Sequence, residues 1–109
     1  MILYHRTVLK IAQSILDIGF IDSTELYLTT EEFTGVWFSN ISLDINEGAD
    51  GDTLLQIKFN FTEEEIDQYE WKEGEKPYRE FLMPAAFANN RMISIRTVED
   101  EDEELEQSI

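Results

Sequence analysis

Apolar positions along the chain fall into two periods. Val8, Ile11, Ala12, Ile15 and Leu16 recur at helical spacing, with Gly19 where a left-handed stop belongs, so a helix is expected between them. Thr7 is placed to cap it. Leu55, Ile57, Phe59 and Phe61 alternate with Gln56, Lys58 and Asn60, which predicts a strand over 53–61 with one apolar face. Ile2–His5 is short, apolar and aromatic and reads as a first strand. Gly35–Ser39 reads as a buried strand, Arg79–Met83 as a strand stopped by Pro84, and 92–98 as a last strand. Residues 25–30 are compatible with a further short strand. Thr62 followed by Glu65 is a capping box, opening a helix expected to reach about Tyr69. Residues 85–90 suit a turn or a single helical turn.

Strands outnumber helices and βα units do not recur, so an α+β domain is expected rather than a doubly wound one. It should occupy residues 1–98. Residues 99–109 should form a disordered acidic tail, because Glu99–Glu106 holds seven acids and no base.

Composition narrows the function classes. The chain of 109 residues has 24 acidic and 8 basic side chains, a formal net charge of −16. Without Glu99–Glu106 the balance is still about −9. Nucleic-acid partners and anionic membrane surfaces are disfavoured, since both demand a cationic face. There is no cysteine, which excludes disulfides and thiolate chemistry. With one histidine, no nucleophilic triad can be assembled. The acidic stretch from Asp44 lacks glycine at its sixth position and glutamate at its twelfth, so it does not read as a calcium loop, and no metal site is expected. No signal peptide or membrane span is legible, and a cytoplasmic location is expected.

Three stretches carry candidate chemistry: Tyr4-His5-Arg6-Thr7, Gly35-Val36-Trp37-Phe38-Ser39 and Arg79-Glu80-Phe81-Leu82. With Gly19-Phe20 between the first two, their order resembles the ADP-ribosyltransferase superfamily, in particular its poly(ADP-ribose) polymerase branch. The resemblance implies a split β-sheet with two short helices, and NAD as substrate. It implies that His5 bonds a ribose hydroxyl, supported by Thr7, that Trp37 stands beside the nicotinamide, and that Ser39 closes the ring pocket. Glu80 would be the catalytic carboxylate, stabilising an oxocarbenium-like ribose during transfer to an acceptor or hydrolysis. Arg6 stands where the family has a small glycine, and Trp37 where it has tyrosine. Each residue also has a plainer role: His5 as a satisfied strand-end histidine, Trp37 as core, Glu80 as a solvent-facing carboxylate, Arg79 as a surface ion-pair partner.

Two rival functions stand beside NAD chemistry. One is a non-catalytic acidic module that binds a basic partner. The other, an RNA 2′-phosphotransferase-like enzyme, needs more cations than the chain offers. The transferase reading makes a geometric demand: His5, Trp37 and Glu80 must line one cleft. A Glu80 on the opposite face of the sheet from His5 is incompatible with it.

Overall fold

The computed structural model describes residues 1–26, 32–42, 51–72 and 74–98. The expected acidic tail, the acidic stretch from Asp44 to Asp50 and the end of the strand expected at 25–30 lie outside them. The elements run β1 (Ile2–Thr7), α1 (Leu9–Ile18), β2 (Ser23–Leu26), β3 (Glu32–Ser39), β4 (Thr53–Phe59), α2 (Glu63–Asp67), β5 (Glu80–Met83), α3 (Ala85–Arg91) and β6 (Met92–Val98). The class is α+β. The strands form one antiparallel sheet in the order β2-β3-β1-β4-β6, with β5 also paired to β3.

Local signals account for much of this. Thr62 Oγ1 accepts from the Glu65 amide at 3.1 Å, and the Glu65 carboxylate accepts from the Thr62 amide at 3.1 Å, so the capping box forms as expected. Gly19 ends α1 at φ 89°, and its amide donates to the Ile15 carbonyl at 2.8 Å. A side chain there would also meet Asn89 Oδ1 at 2.8 Å.

Two expectations need correction. Thr7 does not cap α1: it is the last residue of β1, and Val8 takes the cap position without a side-chain bond. β1 continues to Thr7 because β4 pairs with it along its whole length. Residues 85–91 form a two-turn helix rather than a turn. The support comes from a distance: the Asp22 carboxylate accepts from the Ala85 amide at 2.7 Å. The Asn89 amide then clamps the Phe20 backbone on both sides, at 2.8 and 2.9 Å.

One face of the sheet carries the core. Leu3, Val36, Phe38, Leu55, Ile57, Phe59, Phe81 and Met83 are buried there with Ala12 and Ile15 of α1, Ile66 of α2, and Ala85 and Ala88 of α3. Phe38 meets Phe59 edge-on at 5.3 Å, and Phe59, Phe61 and Phe87 stack in sequence at 4.5 and 5.2 Å. Aromatic pairs of this kind add to the stabilisation from area burial alone. No helix among the described residues is long and apolar enough to cross a membrane.

Candidate functional site

The faces of the sheet follow from its register. In an antiparallel ladder, directly opposed residues point to the same side and neighbours along a strand point to opposite sides. His5 opposes Leu55, which is fully buried. Its ring lies 5.6 Å from Phe20 and 5.7 Å from Phe38, among the core aromatics. His5 Nδ1 donates to the Trp37 carbonyl at 2.6 Å. A carbonyl can only accept, so the neutral ring carries its proton on Nδ1. Burial lowers the His5 pKa below the usual imidazole value, an effect partly offset by the Trp37 carbonyl. His5 is therefore held as a neutral, half-buried histidine at the margin of the core.

Glu80 lies on the other side. It opposes Ser39, which opposes Tyr4, the neighbour of His5. Trp37 shares the side of Ser39 by alternation along β3, and it opposes Leu82. The structure thus brings Trp37, Ser39 and Glu80 together on the outer face and leaves His5, with Thr7 two residues along the same strand, on the inner side. The single cleft demanded by the transferase reading is not assembled: His5 and Glu80 are on opposite faces.

The outer face has an organisation of its own. Glu80, Ser39, Tyr4, Gln56 and Arg96 stand opposite one another in one row across five strands. At the usual strand spacing that row is about 19 Å long. Gln56 Nε2 donates to the Tyr4 hydroxyl at 3.1 Å, and Arg96 Nε donates to Gln56 Oε1 at 2.9 Å. The Ser39 hydroxyl, buried, donates to the Ile41 carbonyl at 2.5 Å, so it closes a local turn.

At the β5 end the face becomes aromatic. Residues 69–71 run along β5 like a further strand: the Trp71 amide donates to the Glu80 carbonyl at 2.8 Å and the Leu82 amide to the Tyr69 carbonyl at 2.9 Å. That pairing sets the Trp71 ring edge-on against Trp37 at 5.3 Å. Lys76 Nζ lies 3.5 Å from the Glu80 carboxylate and 5.5 Å from the centroid of the Tyr78 ring. The Lys76 and Glu80 side chains are each only 18% exposed. Gly35 permits β3 to pass β2 and reach β5: its φ is 148°, and a side chain there would meet the Met83 carbonyl at 2.9 Å.

Arg79 is tied to carboxylates, as its plainer reading has it. It bonds Glu70 at 2.8 Å and Glu63 at 3.1 Å, and lies 5.0 Å from the centroid of the Phe81 ring. Both carboxylates hold its guanidinium above the usual arginine range, Glu70 more than Glu63. Arg91 pairs with Glu65 and Lys72 with Asp67.

Trp71, Lys76, Gln56 and Arg96 carry no motif, so the sequence reading left them out. Trp71 offered one signal, an aromatic residue beside a charged loop. No protein-family model matches the sequence, and no curated protein or solved structure matches it either.

Proposed function

We propose that the chain is a binding module for a basic protein segment, received at the outer-face cluster of Trp37, Trp71, Tyr78 and Glu80. The observation that carries this reading is the lodging of Lys76. Its ammonium sits between a carboxylate and an aromatic ring in a spot mostly screened from water. An ammonium or guanidinium from a partner would find the same carboxylate and ring there, with Lys76 displaced into solvent. Trp, Tyr and Arg side chains dominate the energetics of protein interfaces, and Trp37 and Trp71 supply two such anchors side by side.

Charge supports the choice of partner. Lys72, Lys76, Arg79 and Arg91 are already committed to carboxylates, while the chain as a whole carries 24 acids against 8 bases. That excess steers cationic partners inward and repels anionic ones. The transferase reading demanded one cleft, and the observations do not support it: two of its five expected residues, His5 and Thr7, are on the inner side, away from Glu80.

The test is a titration of the full chain with a lysine- and arginine-rich peptide, followed by tryptophan fluorescence. Both tryptophans of the chain are in the cluster. The peptide should perturb the signal, and added salt should weaken the effect. Glu80→Gln and Trp37→Ala should each lower affinity by about tenfold, and Lys76→Ala should raise it by vacating the spot. Binding that Glu80→Gln and Trp37→Ala leave intact, or no binding at low salt, would refute the reading. NAD titrated in parallel should leave the signal unchanged; NAD binding with nicotinamide release would restore the transferase alternative.

A further inference from the structure

Helix α1 is apolar over about half its circumference at 100° per residue, yet the fold covers only a narrow ridge of it. Ala12 and Ile15 are buried. On one flank of that ridge Ile11 is 51% and Ile18 66% exposed, with Ile21 just beyond the helix at 67%. A cluster of large aliphatic side chains left in water at one place marks a contact surface.

Three features of this flank fit a second copy of the same chain. First, its residues repeat at a spacing of seven. Ile11 and Ile18 form one such pair, and Lys10 and Asp17, on the solvent side of the same stripe, form another. Residues seven apart lie on one face of a helix, two turns from each other. Two α1 helices packed antiparallel about a two-fold axis at Ser14 therefore bring Ile11 against Ile18 of the partner subunit. Lys10 faces Asp17 of the partner subunit, and each contact occurs twice. A two-fold interface has to be self-complementary in this way. Second, the residue at the crossing point is small, which allows the helices to approach closely. Third, α1 carries one base and one acid and is neutral, in a chain whose net charge is −16. It offers a surface where two copies meet without like-charge repulsion.

We infer that the Ile11–Ile18 flank of α1 is a homodimer interface, a two-fold antiparallel helix pair held by isoleucine contacts and two Lys10–Asp17 ion pairs. A ten-residue helix is about 15 Å long, so the contact is small and the dimer reversible.

Sedimentation equilibrium of the full chain over a concentration series tests this. The wild type should move from monomer to dimer as concentration rises. Ile18→Glu should abolish the dimer. Lys10→Glu and Asp17→Lys should each weaken it by about tenfold, because each sets like charges in contact. The double exchange Lys10→Glu with Asp17→Lys should restore association, since it rebuilds both pairs with reversed polarity. That recovery is specific to a two-fold contact between copies, and loss of fold cannot imitate it. A wild type that stays monomeric overturns the inference. So does a dimer that Ile18→Glu leaves intact, or a double exchange that fails to recover.

Discussion

The two faces of the sheet are built on different principles. The inner face is nearly all hydrocarbon: Phe38, Phe59 and Phe81 are almost fully buried, and the polar ring of His5 enters only in its neutral form with a bond to the Trp37 carbonyl. The outer face is a polar row with hydrogen-bonded side chains, bordered by a half-buried aromatic pair. Stability should therefore be concentrated on one side and recognition on the other. Removing a group from the inner face leaves a cavity, whereas on the outer face water can replace it.

The sharpest way to break this contrast is a pair of truncations. Phe59→Ala should cost about 3–5 kcal/mol in chemical denaturation, because the ring is buried and stacked on Phe61. Gln56→Ala, three residues earlier on the same strand and on the other side, should stay within about 0.5 kcal/mol. Equal costs would end the distinction. Next in size is Asn89→Ala, which leaves the backbone amide and carbonyl of Phe20 without their partners and should cost about 1–3 kcal/mol. A neutral result would mean that water takes over the clamp. Thr62→Ala should cost about 1 kcal/mol through loss of the capping bond to Glu65, with the sheet unchanged in its amide spectrum.

The pH dependence due to His5 is confined to acid solution, because at neutral pH the ring is largely neutral both folded and unfolded. Burial sets its folded pKa below the ordinary value of 6.5, so the unfolded chain binds the proton more readily. The stabilising contribution is complete above about pH 6.5 and is lost as pH falls through the lower folded value. NMR titration of the imidazole should show the depressed pKa. A ring that titrates at or above 6.5 would mean that burial does not outweigh the bond to the Trp37 carbonyl.

What could be read from the sequence was what short stretches determine alone. Thr62 and Glu65 form their cap within four residues, and the alternation of Leu55, Gln56, Ile57, Lys58 and Phe59 names its own two faces. Helix α3 was underestimated because its support comes from Asp22 and Phe20, more than 60 residues earlier. The candidate site was legible in part. Trp37, Ser39 and Glu80 do share a side, as residues on paired strands can. Placing His5 with them required the registers of β1 against β3 and of β3 against β5. A shift of one residue in register sends every side chain to the other face, and a motif of four residues does not contain that information. Trp71 was missed for a related reason: it becomes part of the face only by pairing alongside β5.

The position of β1 in the sheet bears on how the chain folds. It lies between β3 and β4, which follow it in sequence, and it pairs with Ser39 on one side and with Thr53–Lys58 on the other. During synthesis β1 therefore emerges with both hydrogen-bonding edges open, and the second of them closes only when more than 50 further residues have been added. Closing such distant pairs is slow, and an open strand edge is a template for pairing with another chain. The nascent chain is most exposed to mispairing in the interval between the emergence of β1 and that of β4. Variants that weaken β4 should accordingly lower the yield of folded protein by more than their effect on its final stability accounts for.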